Sequence, residues 1–261
     1  MEMRTAIIIG ATSGIGRQLA CSLLESGWRV GIAGRREDRL RKLVDTYGSD
    51  RAIARYMDVT QNDAPCQLDN LLTETGAPDL FLHVAGIGYE EGSLNEEIEL
   101  KIVSTHCDGM VRVVSHFINY IKKEPYYSDK RKVCIGIVSS LAGTKGMGVS
   151  PAYSASKKMQ STYVSALSQH VRMHGIPATL SDIRPGFVDT DILLPGTPPF
   201  AIMSVEAASR QILKGLARRK RIIVFDWRYR MLSFAWNLIP RWLWERMTFV
   251  KTKDNHEGFL Q

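Results

Sequence analysis

Residues 5–16 read TAIIIGATSGIG, and this stretch decides the fold prediction. The run Thr5–Ile9 is short, apolar and rich in isoleucine, which is typical of a strand buried on both faces. Glycines 10, 14 and 16 follow it and lead into an amphipathic segment. Glycines at such a junction allow a tight turn and let backbone N–H groups approach a pyrophosphate at the helix N-terminus, where the helix dipole favours negative charge. The stretch therefore predicts the start of a nucleotide-binding βαβ unit.

Short apolar runs and amphipathic segments keep alternating to about residue 225. The apolar runs predict seven strands, at residues 5–9, 29–33, 52–57, 80–84, 133–138, 178–183 and 221–225. Helices are predicted between strands, for example at 14–26, 61–75, 95–121, 152–174 and 205–217. Because crossovers between parallel strands are right-handed, we expect a single-domain α/β, doubly wound Rossmann-type fold. Its seven-stranded parallel sheet would carry helices on both faces.

The composition excludes several classes of protein. The chain has 261 residues, of which 44% are hydrophobic and 23% charged, which is typical of a globular protein and not of a disordered or disulfide-rich one. No stretch approaches about 18 uninterrupted apolar residues, and the N-terminus lacks a signal-peptide pattern. We therefore expect a cytoplasmic protein with free thiols.

No metal site is expected either. The four cysteines lie far apart, with no CxxC pair and no Cys/His cluster of zinc spacing. His170 and His174 share a helix face, but two histidines without a carboxylate or cysteine partner do not make a metal site.

A second chemical signal lies in the predicted helix at 152–174. Tyr153 and Lys157 are four residues apart and share a helix face, and Ser140 ends the strand before that helix. A tyrosine acts as a general acid near neutral pH only if its pKa of about 10 falls by about three units. A lysine ammonium at about 4 Å could supply that shift at an effective dielectric near 20. The alternative is that the Tyr-x-x-x-Lys spacing is a chance pattern on a helix surface.

Together these residues resemble the short-chain dehydrogenase/reductase family, over residues 5 to about 225. The family's glycine motif matches 9–16, its serine, tyrosine and lysine match Ser140, Tyr153 and Lys157, and its PGxVxT segment matches 185–190. The resemblance implies an NAD(P)-dependent oxidoreductase that interconverts a carbonyl and a secondary alcohol. In such an enzyme Tyr153 would donate the proton, Lys157 would bind the nicotinamide ribose, and Ser140 would fix the substrate oxygen.

The resemblance also implies a set of cofactor-binding residues, with Asp58 and Val59 at the adenine. The set is Gly10, Thr12, Ser13, Gly14, Ile15, Gly16, Arg35, Arg36, Asp58, Val59, Ala85, Gly86, Tyr153, Lys157, Pro185, Gly186, Val188 and Thr190. It further implies a small carbonyl or alcohol substrate, a homodimer or homotetramer, and a substrate lid at 187–204.

Three positions depart from the family pattern. Ile9 replaces a threonine, and the segment that reads NNAG in the family reads HVAG at 83–86. His106 stands where the family has the asparagine that completes the catalytic tetrad and holds a water of a proton relay. His106 could keep the helix distortion at this position, titrate in that relay, as histidine does near neutral pH, or be a neutral residue packed in the core. The departure keeps a second function open, a non-catalytic nucleotide sensor or interaction protein on the same fold.

The end of the second strand indicates the choice of cofactor. NAD-binding members of such folds place a carboxylate there to hold the ribose 2′-hydroxyl. Here the strand ends at Gly34 and continues with Arg35 and Arg36, and no acid stands at that position. Because a guanidinium grips a phosphate with a planar fork, the pattern predicts NADP(H) in preference to NAD(H). The alternative is that the two arginines cap the next helix.

The C-terminal part is basic and rich in tryptophan. We predict a dinucleotide-binding and catalytic body at 1–226 and an extension of the same domain at 227–261. The net charge is +7, yet 218–253 alone hold ten Lys or Arg against two acidic residues, and 227–249 hold four of the five tryptophans. Three alternatives stay open: cover for the substrate pocket or a subunit interface, peripheral contact with an anionic membrane, or nucleic acid, which charge alone favours. We expect no nucleic-acid partner.

Overall fold

The computed structural model describes residues 3–88, 94–192 and 202–225, together with 231, 235, 236 and 238–247 of the extension. Seven strands form one sheet in the order β3-β2-β1-β4-β5-β6-β7, and every neighbouring pair is parallel. The strands are β1 (Thr5–Ile9), β2 (Arg29–Gly34), β3 (Ala52–Tyr56), β4 (Leu80–His83), β5 (Val133–Val138), β6 (Ala178–Ile183) and β7 (Ile222–Ile223). The predicted fold class is confirmed.

Helices cover both faces of the sheet. They are α1 (Gly14–Glu25), α2 (Glu37–Tyr47), α3 (Ala64–Thr75), α4 (Glu96–Val103), α5 (Gly109–Lys123), α6 (Pro151–Met173), α7 (Val205–Ala217) and α8 (Arg241–Trp244), with a 3₁₀ turn at Leu141–Thr144. The helix predicted at 95–121 contains a π-helical turn, Ser104–Asp108, which joins α4 to α5. The π turn is centred on His106, the position that departs from the family pattern.

Two apolar clusters hold the helices to the sheet. One joins the sheet to α3, α5 and α6, and includes Phe81 stacked on Phe117 with 4.1 Å between ring centroids. The other joins the sheet to α1, α2 and α7. The strand order reverses between β1 and β4, because the chain runs outward to β3 before it returns to the other side of β1. In sheets of this kind a crevice opens at that reversal, beyond the carboxyl ends of the strands.

The turn after β1 tolerates only glycine at two positions. Gly10 has φ +95°, and a Cβ there would lie 2.5 Å from the backbone nitrogen of Ala85. A Cβ on Gly16 would lie 2.1 Å from the carbonyl oxygen of Gly10. Because both contacts are with backbone, neither can relax by rotating a side chain. These two glycines therefore fix the approach of α1 to the ends of β1 and β4.

The described part of the C-terminal extension lies against the loop between β5 and α6. The Trp244 indole Nε1 donates to the Gly146 carbonyl at 2.6 Å, and the Lys145 ammonium donates to the Ile239 carbonyl at 2.9 Å. Trp236 and Trp244 meet edge to face, with ring centroids 5.6 Å apart. Residues 193–201 of the predicted lid lie outside the described residues. So do residues 226–230, 232–234, 237 and 248–261. Within the described part of the chain, no helix is both long and apolar enough to span a membrane.

His83 is a buried polar residue in the centre of the sheet. It ends β4 between Ile9 of β1 and Ile137 of β5, and it is fully buried. Among the described residues neither ring nitrogen finds a hydrogen-bond partner. Burial, with a smaller contribution from the nearby Lys157, lowers the pKa of His83 to about 3. The ring is therefore neutral at physiological pH.

We expect His83→Leu to make the protein less sensitive to acid. An unfolded histidine has a pKa of about 6.5, so below that pH the unfolded state binds more protons than the folded state. The stability that neutral His83 provides is therefore present above about pH 6.5 and is lost as the pH falls towards 3. The leucine variant should show a shallower fall in unfolding free energy between pH 7 and pH 4, measured by urea unfolding. The exposed His174→Leu is the matched control, and equal slopes in wild type and His83→Leu would contradict the prediction.

Candidate active site

One cleft at the carboxyl ends of the central strands brings together the catalytic and cofactor-binding residues that the sequence predicts. Its lining includes the predicted catalytic residues Ser140, Tyr153, Lys157 and His106. It also includes all the predicted cofactor residues, namely Gly10, Thr12, Ser13, Gly14, Ile15, Gly16, Arg35, Arg36, Asp58, Val59, Ala85, Gly86, Pro185, Gly186, Val188 and Thr190. The cleft lies where the strand order reverses. Its position therefore agrees with the crevice rule for doubly wound sheets.

The glycine turn offers a cradle for a phosphate. Ser13 occupies the N-cap position of α1, but its side chain makes no capping bond, and no acidic side chain lies in the first turn. A Cβ on Gly14 would lie 3.0 Å from the Thr190 methyl group, so the turn and the 185–190 segment meet closely. The backbone N–H groups at the start of α1 thus face the cleft, where the helix dipole favours an anion. These residues fit the pyrophosphate of a dinucleotide.

Two arginines lie at the end of β2 beside this cradle. The Arg36 guanidinium donates to Thr12 Oγ1 at 2.9 Å and to Ser13 Oγ at 2.6 Å, and lies 3.9 Å from the Asp191 carboxylate. Arg36 occupies the N-cap position of α2 without a side-chain capping bond. A Cβ on Gly34 would lie 2.6 Å from the Thr12 methyl group, so an acidic side chain would clash at that position. The region therefore has guanidinium groups where NAD-binding folds have a carboxylate.

Ser140 and Tyr153 face each other across the loop between β5 and α6. Ser140 caps the 3₁₀ turn, where its Oγ accepts from the Ala142 amide at 3.1 Å. Burial raises the pKa of Tyr153 above its ordinary value, and a hydrogen bond with Ser140 partly offsets this. The Lys157 ammonium lies 5.6 Å from the centre of the Tyr153 ring. The sequence-based expectation that Lys157 lowers the pKa of Tyr153 by about three units is therefore wrong for the protein alone, because burial penalises both charged forms.

The lysine is buried and held by two acceptors. Its ammonium donates to the Val138 carbonyl at 3.1 Å and to Gln160 Oε1 at 3.0 Å, and the residue is 4% exposed. Burial lowers the pKa of Lys157 to about 7, and interactions with Cys107 and Asp182 oppose the shift. The lysine therefore titrates close to neutral pH.

His106 fills its position with both ring nitrogens hydrogen-bonded. Nε2 accepts from the Ile87 amide at 3.0 Å, and Nδ1 lies 2.8 Å from Ser156 Oγ. Because Ser156 donates its own hydroxyl proton to the Tyr153 carbonyl, its oxygen must accept from Nδ1–H. Burial, with Lys157 and His83 nearby, holds the pKa of His106 well below its usual value. This geometry favours the packed neutral histidine over the titrating one.

Several residues at the site were missed by the sequence analysis. Gln160 lies fully buried beside Lys157. Asp182 of β6 accepts hydrogen bonds from Ser139, Ser161 and Arg184. The sequence did contain a pattern that could have identified Gln160. It is a polar residue in line with the apolar residues Val164, Leu167 and Val171 on one face of α6.

The side of the cleft that faces Ser140 and Tyr153 is apolar. It is lined by Leu141, Met147, Val149, Phe187, Ile192 and, from the extension, Trp236. The sequence analysis had offered the tryptophan-rich extension as cover for the substrate pocket, but it could not say which tryptophan reaches the cleft, because the fold of the extension decides that.

Comparisons with known proteins agree with this geometry. A family model described as short chain dehydrogenase matches residues 4–196. An uncharacterized oxidoreductase of Myxococcus xanthus is 31% identical over 251 residues, which cover 94% of this chain and 96% of that protein.

Solved structures share the fold. A short chain dehydrogenase/reductase of Burkholderia phymatum in complex with NAD has a TM-score of 0.77 at 20% identity, covering 89% of this chain and 92% of that one. An actinorhodin polyketide ketoreductase variant with NADPH has a TM-score of 0.70 at 20% identity, covering 82% and 90%. With the family model matching most of the chain, this protein belongs to the short-chain dehydrogenase/reductase family of oxidoreductases.

Proposed function

We propose that this enzyme is an NADP-dependent oxidoreductase that interconverts a carbonyl and a secondary alcohol with a Ser140, Tyr153 and Lys157 catalytic set. The observation that carries the proposal is the convergence of this set, the glycine turn and the 185–190 segment on one cleft. Solved structures of the same fold hold NAD or NADPH, which supports a nicotinamide cofactor here.

Each catalytic side chain has a defined task in this proposal. Ser140 donates a hydrogen bond to the substrate carbonyl oxygen, and Tyr153 supplies the proton that this oxygen gains on reduction. Lys157 would hold the nicotinamide ribose, and its charge favours the phenolate left on Tyr153. When bound, the cofactor supplies or accepts the hydride. Because burial raises the pKa of Tyr153, positive charge from Lys157 and from a bound oxidised cofactor would favour the phenolate in the alcohol-oxidising direction.

The preference for NADP rests on the end of β2. Arg35 and Arg36 line the cleft there, and Thr12 packs against Gly34 where a ribose-binding carboxylate would otherwise stand. A phosphate on the ribose would meet two guanidinium groups.

The substrate end of the cleft supports an uncharged, apolar carbonyl compound. The described lining there includes Leu, Met, Val, Phe, Ile and Trp side chains, and its polar groups are the hydroxyls of Ser140, Ser150, Tyr153 and Ser154. A site of this kind binds by apolar burial and orients by few hydrogen bonds.

A nucleotide-binding sensor or interaction protein is the second candidate. Two observations favour it: His106 replaces the tetrad asparagine, and burial raises rather than lowers the pKa of Tyr153. The two candidates predict the same cofactor binding and differ in turnover.

Tyr153→Phe distinguishes the two candidates. If Tyr153 is the proton donor, the variant should bind NADPH as tightly as wild type, because the hydroxyl is the group removed, while kcat falls by about 10²-fold or more. NADPH oxidation is followed by absorbance with a panel of apolar ketones and aldehydes, and binding by NADPH fluorescence. The partly exposed Tyr163→Phe on the same helix is the control. A Tyr153→Phe variant that turns over near the wild-type rate would refute the assignment, and a wild type inactive across the panel would favour the sensor.

Cofactor preference gives a separate prediction. NADPH should bind about thirtyfold more tightly than NADH, about 2 kcal/mol, and Arg35→Ala should abolish most of this difference while NADH affinity stays nearly unchanged. Arg36→Ala should also weaken NADPH binding, because Arg36 is held beside the phosphate cradle. Fluorescence titration with both nucleotides measures the effect, and Arg41→Ala on the exposed side of α2 is the control. Equal affinities for the two nucleotides in wild type would overturn the preference.

The extension supports both a pocket cover and a membrane contact. Trp244 of α8 points inward and bonds to the Gly146 carbonyl. Trp242 and Leu243 point outward and are 61% and 40% exposed. They lie beside Arg241 and Arg246. Apolar rings next to arginines suit the headgroup layer of an anionic membrane. We infer a cytoplasmic enzyme that attaches peripherally through this outward face. A homodimer or homotetramer stays a prediction, as does the division at residue 226.

The outward face can be tested with the full-length protein. It should co-sediment with phosphatidylcholine vesicles that contain phosphatidylglycerol, and less with phosphatidylcholine alone, and added salt should release it because the attraction is screened within about 8 Å. The double variant Trp242→Ser, Leu243→Ser should lose most of the bound fraction, while the exposed Met173→Ser should not. Wild-type protein that stays in the supernatant with anionic vesicles at low salt would exclude the membrane contact.

A further inference from the structure

Gln160 connects the catalytic lysine to the π turn. Its Oε1 accepts from the Lys157 ammonium at 3.0 Å, and its Nε2 donates to the His106 carbonyl at 2.9 Å. The side chain is fully buried between α6 and the π turn. The carboxamide thus bridges a cation that only donates and a carbonyl that only accepts.

The two partners fix the orientation of the amide. An ammonium has no lone pair, so Oε1 must face Lys157, and a carbonyl has no proton, so Nε2 must face His106. Reversing the amide would leave two repulsive contacts in a buried place, which is strongly unfavourable. The bridge is therefore held in a single orientation.

The bridge also orients the proton that remains on the lysine. Of the three ammonium protons, one goes to the Val138 carbonyl and one to Gln160. The third has no acceptor among the described contacts of Lys157, and the lysine lines the cleft. A lysine without the Gln160 acceptor would be free to rotate about its last bond.

We propose that Gln160 is a positioning residue for Lys157: its carboxamide clamps the ammonium to the π turn, favours its charged form and aims its remaining proton into the cleft. The inference rests on the proposed function for its effect on turnover, but the clamp itself is a property of this chain's own residues. His106 contributes through its backbone carbonyl, whose position the π turn sets.

The charge on Lys157 depends on all the groups that surround it. The titratable ones are Tyr153 on its own helix, His106 and Cys107 on the π turn, His83 on β4 and Asp182 on β6. The two histidines are neutral and Cys107 is protonated, since burial raises the pKa of its thiol. Asp182 is shared among Ser139, Ser161 and Arg184. An acceptor that bonds the ammonium directly should therefore have a marked effect on its titration.

Two variants of Gln160 separate a clamp from simple packing. Gln160→Met keeps the length of the side chain but loses both hydrogen bonds, so it should lower the Lys157 titration midpoint by about one pH unit. Gln160→Glu places a carboxylate against the ammonium, so it should raise the midpoint by about one unit or more. NMR of protein labelled with ¹³C at lysine Cε follows the titration, and the Lys157 signal is the one absent from Lys157→Met. Gln169→Glu, on the exposed face of the same helix, is the matched control for the added charge.

Turnover provides the second readout. Gln160→Met should lower kcat about tenfold while the KM for the carbonyl substrate changes less than twofold, because the lost hydrogen bonds act on the lysine and not on the substrate. Gln160→Asn, which keeps the amide but is one methylene shorter, should lie between Met and wild type. Melting temperatures confirm that each variant is folded, and if Gln160→Glu fails to fold the direction of shift in Gln160→Met still decides.

Each outcome has a single meaning. Opposite shifts in Gln160→Met and Gln160→Glu support the clamp, and a Lys157 midpoint that stays in place in both would make Gln160 a packing residue only. A wild type without turnover would contradict the proposed oxidoreductase activity, but the NMR titration would still test the clamp. A shift in Gln169→Glu as large as in Gln160→Glu would attribute the effect to added charge and overturn the proposal.

Discussion

The hydrogen bonds of the buried Lys157 ammonium tie together the elements around the cleft. A cation taken out of water is costly unless it is well paired, and this one has no carboxylate within bonding distance among its described contacts. It is held by neutral acceptors on β5 and α6, and through Gln160 it is coupled to the π turn. The π turn, in turn, holds Ile87 and Ser156 through the His106 ring. Movement of any of these elements would leave a polar group unpaired, so the buried Lys157 also constrains the packing.

The fold could be predicted from the local pattern of apolar residues because the central strands are buried on both faces. The bounds of β1, β5 and β6 agree with their apolar runs, where every position faces a helix layer. The prediction was too long at β7, since this edge strand pairs only over Ile222 and Ile223, with Asp182 and Ile183. The π turn was not predicted as such, because its backbone is set by contacts between α6 and the 104–108 segment, which no local pattern records. The role of Gln160 was missed for the same reason, because it depends on long-range contacts with the π turn as well as on Lys157 in its own helix.

The expected lowering of the Tyr153 pKa shows where reasoning from charge and spacing alone fails. Coulomb's law with an effective dielectric near 20 describes a pair that is partly solvated and in close contact. Here the ammonium lies 5.6 Å from the centre of the ring, and burial penalises the charged form of both groups. The protein thus provides a protonated tyrosine beside a lysine that titrates near pH 7. Tyr153 therefore holds the proton that the proposed reduction requires, but its raised pKa makes it a weaker acid than the sequence analysis assumed.

The two faces of α8 explain why the sequence of the extension supported more than one prediction, including pocket cover and membrane contact. In a helix of four residues, Arg241–Trp244, neighbouring side chains point in different directions, so Trp244 can reach Gly146 while Trp242 stays exposed. Trp236 meets Trp244 and also lines the apolar end of the cleft, so the inward ring is linked to the substrate side. Pocket cover and surface contact are therefore not exclusive alternatives. A membrane or other partner that binds the outward face of α8 would contact the same short segment whose inward face borders the cleft. Surface binding and cleft cover would then be coupled through the Trp236–Trp244 pair.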